Sequence, residues 1–307
     1  MNLCDVSIIL VNYNTYDLTK NCIESIYACN SQLKYEIIVV DNSNTPLLLN
    51  QLIKQYPLVK FIDSKTNLGF GKANNLGSKY ANGKYLFFLN TDTLLINNAF
   101  DILYDFMEKN EKAIICGPNI YTRELAPNHS FYFKKKNLKN DRNNYSLLHT
   151  LYRKFCKKRD DFNYSTNPII VDGYVCGAAL MISKADFIEI GGFEKEIFMY
   201  AEEALLCYKA TKDFNRFIYN IPSSKIIHFE GASFEGSTLK RSTMIVDGNY
   251  LYYRIIYGEK IALKYLKTMK SIFKNKMLIS KFFNKKKYIY FSNMYKAYSN
   301  KYSSLVH

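Results

Sequence analysis

The sequence predicts an α/β fold built on a mostly parallel sheet with helices on both faces. Short apolar runs alternate with segments of helical periodicity through the first hundred residues. Strands that are apolar on both faces belong to parallel sheets covered on both sides. Each run ends in a cluster of polar residues. Because ligands bind beyond the carboxyl ends of such strands, the clusters predict a binding crevice at one edge of the sheet.

The elements follow from hydrophobic periodicity taken in chain order. Continuous apolar runs predict strands, and apolar residues spaced three and four apart predict helices. We expect strands at 6–11, 36–41, 58–63, 85–90, 113–117 and 225–230, with helices at 17–27, 47–56 and 72–80. A further ordered stretch at 169–182 precedes a helix that carries Glu202 and Glu203 in its first turn.

Length and charge predict one α/β domain with basic appendages. The chain has 307 residues, 48% of them hydrophobic, which suffices for a full core. We expect a domain at 1–250, interrupted by a basic insertion at 121–167, and a basic amphipathic helical tail at 251–307. The net charge of +15 is concentrated in 134–159 and 254–307, where ten and thirteen Lys and Arg residues each face one acid. Such surfaces meet polyanions or anionic membranes.

Cysteine usage and hydropathy indicate the compartment. The seven cysteines form no C-x-x-C pair, so we expect reduced thiols and no zinc site. The first residues lack a basic region followed by an apolar one, and no apolar run is long enough to span a membrane. We therefore expect a cytoplasmic protein.

Polar side chains with ligand-binding chemistry stand at four predicted strand ends. They are Asn12, Tyr13 and Asn14 after the first strand, Asp41, Asn42 and Ser43 after the second, the segment from Asn67 through Gly69 to Gly71 after the third, and Asn90, Thr91 and Asp92 after the fourth. Since parallel strands bring their carboxyl ends to one edge, we expect these groups to converge.

Seven motifs in order carry a family resemblance. They read V-S-I-I-L-V-N-Y-N, E-I-I-V-V-D-N-S, N-L-G-F-G-K-A-N-N-L-G, F-L-N-T-D-T, G-A-A-L-M-I, G-G-F-E-K-E-I-F-M-Y-A-E-E and I-I-H-F-E-G-A-S. Together they resemble the family 2 glycosyltransferases, in particular the bacterial rhamnosyltransferase-like branch that builds surface polysaccharides. The resemblance covers Val6 to about Ser233. It implies a GT-A type fold, a nucleotide-sugar donor, a divalent cation and inversion at the anomeric carbon.

The resemblance assigns a metal site to Asp92 and His228. Asp92 matches the second acid of the family's D-x-D motif, Asn90 stands where the first acid would be, and His228 matches the family's metal histidine. Carboxylate with imidazole suits Mn²⁺ or Mg²⁺. By itself, a His at a strand end is more often a hydrogen-bonded core residue.

The resemblance also assigns the catalytic base. Glu203 matches an Asp that acts as base in the family, Glu202 is the alternative, and a further family acid is Leu205 here. A carboxylate suits the deprotonation of an acceptor hydroxyl. The structural alternative is that both glutamates interact with a helix N-terminus, where acids are favoured.

The remaining matches line the donor pocket. Asp41 would accept from N3–H of uracil or thymine, and Tyr13 would flank the base, which favours a UDP- or dTDP-sugar. The expected nucleotide contacts are completed by Asn12, Asn14, Asn67, Gly69, Asn74 and Asn90. The expected sugar and acceptor pocket contains Asp172, Gly177, Ala178 and Gly192. The glycines are also explained by loop geometry and tight strand packing.

The expected function is extension of a polysaccharide or lipid-linked oligosaccharide at the cytoplasmic face of the membrane. Lysines alternate with apolar residues in the tail, and Phe282 and Phe283 precede three lysines, which predicts contact with anionic lipid. One rival is a family member that binds nucleotide without transferring sugar. The other is a basic nucleic-acid-binding protein, which the excess of Lys over Arg disfavours, so we expect no nucleic acid partner.

Overall fold

A computed structural model of the protein describes residues 4–43, 46–146, 159–229 and 238–306. Within these residues nine strands form one mixed sheet and two more form a small ribbon. The chain divides into two units. The first comprises Met1–Lys135, Asp160–Lys195 and Glu203–Ser233, and the second comprises Lys136–Arg159, Glu196–Glu202 and Phe234–His307.

The first four strands are parallel, as predicted. They are β1 (Cys4–Asn12), β2 (Tyr35–Asp41), β3 (Lys60–Asp63) and β4 (Gly83–Asn90), in the order β3-β2-β1-β4. Asn12 lies beside Asp41, and Val11 lies beside Asn90. The carboxyl ends of β1, β2 and β4 therefore meet at one edge of the sheet.

The second half of the sheet is mixed. Its strands are β5 (Thr93–Leu95), β6 (Ala113–Tyr121), β8 (Ile169–Ile170), β10 (Ala179–Ser183) and β11 (Phe217–His228). β10 lies between β4 and β6 and is antiparallel to both, and β5 and β8 are antiparallel to β11. The α/β class is thus confirmed, while the parallel arrangement is limited to the first four strands and the β6–β11 pair.

β11 begins eight residues earlier than the predicted strand. Pro222 interrupts its apolar pattern, and the pairing with β6 changes register between Ile221 and Lys225. Proline is tolerated within a sheet at such irregularities because it donates no ladder hydrogen bond. The strand ends at His228, and residue 230, the expected end, lies outside the described residues.

Helices of the first unit cover both faces of its sheet. In chain order the described helices are α1 (Tyr16–Tyr27), α2 (Pro46–Gln55), α3 (Phe70–Lys79), α4 (Ala99–Lys109), α5 (Leu138–Asn144), α6 (Lys184–Ile190), α7 (Glu202–Phe214), α8 (Leu239–Tyr257), α9 (Glu259–Ser280) and α10 (Lys285–Val306). Ile8 and Leu10 of β1 pack in one core with residues of α1 and α4. Ile9 points to the opposite face, where a Cβ on Gly77 of α3 would lie only 2.7 Å from its methyl carbon.

Parts of the expected basic insertion are ordered in the first unit. β7 (Phe131–Tyr132) pairs with β9 (Tyr174–Val175) as an antiparallel ribbon. His129 Nδ1 lies 3.1 Å from Asp161 Oδ2, which joins the two sides of the insertion. Residues 147–158 of the insertion lie outside the described residues.

The second unit is helical and has an aromatic core. The rings of Tyr253 and Tyr265 stack at 4.0 Å, and those of Phe273 and Tyr298 stack at 5.5 Å. The expected domain boundary at residue 250 falls inside α8, so the helical unit starts earlier along the chain. Among the described residues, no helix has the length and apolarity needed to cross a membrane.

Candidate functional site

Asp92 and His228, the two predicted metal ligands, lie in contact. The chain turns after β4, and β5 then pairs with the end of β11 so that Thr93 lies opposite His228. The backbone N–H of Phe229 donates to the Asp92 carbonyl at 2.9 Å. This pairing places His228 Nε2 3.2 Å from Asp92 Oδ1, with the two side chains 12% and 10% exposed.

The donor atoms at this strand end fit a divalent cation. Within the described ranges, neither Nδ1 of His228 nor Oδ1 of Asn90 has a hydrogen-bond partner, which is rare for buried atoms. The described residues contain no group of three His, Cys, Asp or Glu side chains that could hold a metal ion. Asp92 and His228 would therefore leave several positions of a hard cation to phosphate and other oxygen ligands. This donor set fits Mn²⁺ or Mg²⁺.

Cysteines near the site are thiols rather than thiolate ligands. Cys22 Sγ lies 3.7 Å from Thr93 Oγ1, one residue from Asp92. Burial raises the pKa of the Cys22 thiol to about 12, and burial also raises the pKa of Cys207. Because metals bind the thiolate, neither group competes with the carboxylate and imidazole at neutral pH.

Asp41 is held at the end of β2 by its neighbours in the sheet. Asn12 Nδ2 donates to Asp41 Oδ1 at 2.9 Å, and the Ser43 N–H donates to the same oxygen at 3.1 Å. Ser43 Oγ accepts from the N–H of Asn14 at 2.8 Å, at a residue with φ of 55°. Both of these donors reach Oδ1, so Oδ2 is the oxygen of this carboxylate better suited to a ligand's N–H donor.

Threonines connect the end of β1 to the end of β4. Asn12 Oδ1 accepts from the Thr15 N–H at 3.1 Å and from Thr19 Oγ1 at 3.0 Å. Thr15 Oγ1 lies 3.2 Å from Thr91 Oγ1, and Thr91 precedes Asp92 in the chain. Sequence reasoning did not assign these threonines a role, although Thr15 and Thr91 directly follow the Asn-rich strand ends.

Asn42 orders the loop that carries Asn67 and Gly69. Its Nδ2 donates to Asn67 Oδ1 at 3.1 Å and to the Gly69 carbonyl at 3.3 Å, while its Oδ1 accepts from the Leu68 N–H at 2.9 Å. Gly69 has φ of 79° just before α3, a conformation that favours glycine. The predicted loop residues are thus brought to the end of β2 by Asn42, a residue that the sequence places at this strand end without a specific role.

Glu203 lies against the segment that joins β9 to β10. A Cβ on Gly177 would lie 3.4 Å from Glu203 Cβ and 3.5 Å from its carboxyl carbon. The adjacent Ala178 carbonyl accepts from the Asn90 N–H at 2.9 Å. Leu205, which stands where the family has an acid, is buried. Glu203 therefore contacts the same short segment that pairs with the end of β4.

Glu202, the alternative base, is the first residue of α7 and is buried, whereas Glu203 is half-buried. Its neighbours Tyr200 and Ala201 both have φ of 73°, unusual for residues with a side chain. The greater exposure of Glu203 favours it as the group that reaches an acceptor.

Three more of the predicted site residues, Asn74, Asp172 and Tyr13, differ from one another in exposure and contacts. Asn74 donates to the Phe70 carbonyl at 3.2 Å and is buried, so its amide is turned onto its own helix. Asp172 is exposed and lies 3.5 Å from Lys135. Tyr13 is half-buried after β1.

Gly192 has a structural reason to be glycine. It has φ of 72°, and an added Cβ would lie 2.7 Å from Asn75 Oδ1. Asn75 in turn accepts from the Phe193 N–H at 2.9 Å and donates to the Phe193 carbonyl at 2.8 Å. These contacts tie the loop after α6 to α3.

The sequence of this chain is similar to those of known proteins. The family model described as glycosyl transferase family 2 matches residues 7–175, more than half of the chain. The rhamnosyltransferase WbbL of Escherichia coli is 27% identical over 73% of this chain and 83% of its own length. A low-salt glycan biosynthesis hexosyltransferase of Haloferax volcanii is 28% identical over 69% of this chain and 63% of its own length.

A solved structure has the same fold. The crystal structure of GalNAc-T7 with UDP, GalNAc and Mn²⁺ matches with a TM-score of 0.59 at 20% identity, over 88% of this chain and 55% of that one. The chain belongs to glycosyl transferase family 2, has the GT-A type of fold, and is a glycosyltransferase that takes its sugar from a nucleotide-sugar donor.

Proposed function

We propose that this protein is an inverting, metal-dependent glycosyltransferase that extends a polysaccharide or lipid-linked oligosaccharide. The observation that carries the proposal is the contact between Asp92 and His228, 3.2 Å apart at the end of β4. Glu203 is connected to the same strand end through Gly177 and Ala178. This transfer requires a bound cation and a carboxylate base, and a pair of candidate metal ligands and a candidate base lie at one edge of the sheet.

Asp92 and His228 would hold Mn²⁺ or Mg²⁺. When bound, the cation supplies positive charge to offset the negative charge that develops on the departing diphosphate. Asn90 has a neutral side chain, so Asp92 provides the only carboxylate of this short motif. The GalNAc-T7 structure, whose title names UDP and Mn²⁺, supports the choice of a divalent cation with a nucleoside diphosphate.

Asp41 would select the base of the donor. Its Oδ1 is occupied by donors from Asn12 and Ser43, so Oδ2 would accept from a ligand. Uracil and thymine both present an N3–H donor to such an oxygen, whereas the corresponding N3 of cytosine is an acceptor. The proposed donor is therefore a UDP- or dTDP-sugar, with Tyr13 beside the base.

Glu203 would act as the catalytic base. The acceptor hydroxyl oxygen attacks the anomeric carbon on the face opposite the diphosphate, and the bond from that carbon to the diphosphate oxygen breaks. The hydroxyl proton passes to a carboxylate oxygen of Glu203. Gly177, which has no side chain, leaves room for substrate beside this carboxylate. A single displacement of this kind inverts the anomeric configuration.

The proposed site of action is the cytoplasmic face of the cell membrane, where a lipid-linked acceptor would be presented. The names of the E. coli and H. volcanii relatives refer to rhamnosyl transfer and glycan biosynthesis, which supports a glycan acceptor. The basic charge of residues 254–307 supports an anionic membrane as partner.

The test is a donor screen on the full chain. UDP-, dTDP- and GDP-sugars are incubated with Mn²⁺, with Mg²⁺ or with EDTA, and release of the nucleoside diphosphate is measured. We expect release from a UDP- or dTDP-sugar that EDTA abolishes and added Mn²⁺ restores. Donor binding in a thermal-shift assay without release or transfer would identify an inactive nucleotide-binding member. Release that EDTA leaves unchanged would overturn the proposed metal site.

A further inference from the structure

The turn between α9 and α10 exposes large apolar side chains. We call residues 278–287 the hairpin tip. Phe282 and Phe283 are 80% and 84% exposed, and Leu278 and Ile279 are 49% and 47% exposed. Contiguous apolar patches on a protein surface mark interaction sites. Four such residues within six positions therefore call for a partner.

The helices on either side of the tip run antiparallel. Phe273 of α9 contacts Phe291 of α10, while Tyr265, earlier in α9, donates to or accepts from Tyr298, later in α10, at 2.9 Å. The two helices thus form a hairpin whose aromatic interior lies away from the turn. The tip is the end of this hairpin.

The hairpin tip is surrounded by positive charge. Lys281, Lys285, Lys286 and Lys287 are exposed, as are the phenylalanines between them. The sequence contains no Asp or Glu after Glu259. An apolar patch ringed by lysines is complementary to a surface with an apolar interior and anionic groups above it, which describes an anionic lipid bilayer.

The structure also excludes the other apolar surface of α9. The periodic stripe of Tyr265, Met269 and Phe273 that predicts an interfacial helix is at most 1% exposed. These side chains form the interior of the second unit and have no area left for lipid. Of the two features from which the sequence predicts contact with lipid, the helical stripe is therefore buried, whereas Phe282 and Phe283 are exposed.

We infer that the hairpin tip inserts into an anionic membrane, with Phe282 and Phe283 at the boundary of headgroups and acyl chains and the lysines at the level of the phosphates. The inference rests on the proposed action at a membrane and names the segment that makes the contact. It assigns no role to the hairpin tip in donor binding or chemistry.

The experiment measures cosedimentation of the full chain with vesicles of phosphatidylglycerol and phosphatidylcholine mixed, and of phosphatidylcholine alone. We expect binding to the anionic vesicles, and a loss of about tenfold or more in the Phe282→Ser/Phe283→Ser variant. Both side chains are exposed, so thermal unfolding and donor hydrolysis should not change. The matched control is Ile188→Ser, because Ile188 is 66% exposed but lies between Asp186 and Glu189.

A pair of charge variants separates position from net charge. Lys285, Lys286 and Lys287 are changed to Glu in one variant, and the exposed Lys260, Lys264 and Lys267 are changed to Glu in the other. The net charge is the same in both. We expect the first to lose much more binding than the second, since surface attraction falls within a Debye length of about 10 Å at 0.1 M salt.

The outcomes distinguish the inference from the proposal beneath it. If the unmodified chain does not bind anionic vesicles, the proposed membrane association fails and the inference fails with it. If the chain binds but the double phenylalanine variant binds equally well, only the role of the hairpin tip is overturned. Concentration-dependent self-association that the variant abolishes, without vesicle binding, would assign the tip to a second copy of the chain instead.

Discussion

Asp92 is the single carboxylate on which the proposed metal site depends. Its Oδ1 contacts His228 Nε2, and the neighbouring Asn90 cannot supply a charge. In Asp92→Asn the shape is kept but the negative charge is lost, so we expect donor hydrolysis to fall by about 100-fold or more. The Mn²⁺-dependent part of the thermal stabilisation by nucleoside diphosphate should disappear as well.

A matched control for this change is Asp63→Asn. Asp63 also ends a parallel strand of the sheet, but it is exposed and the hydrogen bonds from Lys65 lower its pKa. We expect Asp63→Asn to retain activity and the response to Mn²⁺. Equal losses in the two variants would mean that Asp92 acts through general sheet-edge charge rather than through a bound cation.

We expect different results when Glu203 and Glu202 are each changed to Gln. Glu203 is half-buried beside Gly177, whereas Glu202 is buried. We expect Glu203→Gln to lower kcat by about 10² to 10⁴-fold while the donor affinity measured by thermal shift stays near that of the unmodified chain. Glu202→Gln should lower stability more than turnover. The opposite pattern would transfer the role of base to Glu202.

At this scale the sequence predicted residues whose position depends only on strand ends. Asn12, Asp41 and Asp92 follow buried runs, and parallel pairing brings such positions together. The contacts of Thr15 and Asn42 could not be predicted because their partners are 76 and 25 residues away, in loops whose paths hydrophobic periodicity does not describe. The contact of His228 with Asp92 was expected only from the family resemblance, since it depends on the pairing of β5 with β11.

Among the elements, α5 is connected to α8 by hydrogen bonds to a buried ion pair. Lys136 Nζ donates to Asp141 Oδ2 at 2.8 Å, and both side chains are less than 10% exposed. Tyr253 in α8 donates to the same oxygen at 2.9 Å, and burial raises the pKa of Tyr253, which keeps it a donor. Tyr257 donates to the Lys136 carbonyl at 2.9 Å.

Removing one partner of this pair should be costly. In Asp141→Ala the Lys136 ammonium would stay buried without its carboxylate, so we expect a loss of about 3–5 kcal/mol in the free energy of unfolding. Lys136→Met combined with Asp141→Leu should recover most of it, because two apolar side chains need no counter-charge. Chemical denaturation of the three proteins measures the difference. A double variant as unstable as Asp141→Ala would indicate a specific requirement for the ion pair.

Strands in the regular parallel part of the sheet were predicted, and strands that pair irregularly were predicted only in part or not at all. β1 to β4 were predicted because each pairs with a strand nearby in a regular alternation, and their apolar runs are uninterrupted. β10 could not be placed, since it enters between β4 and β6 in the antiparallel direction. The start of β11 was missed because Pro222 breaks its pattern. The start of α8 was missed because the buried residues there include Ser242, Gly248 and Asn249.

For the whole molecule, the distribution of charge along the chain separates two activities. Residues 134–159 and 254–307 together carry more positive charge than the net charge of the protein, so the rest of the chain, including the candidate site, is net acidic. Binding of a polyanion or a membrane should therefore depend on salt, whereas donor hydrolysis should depend on it much less. The two properties can be measured on the same preparation.

We expect vesicle binding to weaken by about tenfold or more between 0.1 and 0.5 M salt, because screening shortens the reach of the lysines. Hydrolysis of the preferred donor should change by less than about threefold over the same range, since the buried Asp92–His228 pair is screened little. Single-stranded RNA provides the comparison at matched salt. RNA bound more tightly than anionic vesicles would favour the nucleic-acid-binding alternative, because both ligands are polyanions but only the bilayer also accepts Phe282 and Phe283. Binding to vesicles at a salt concentration that abolishes binding to RNA would show that the apolar contact of the phenylalanines contributes to the affinity in addition to the charge.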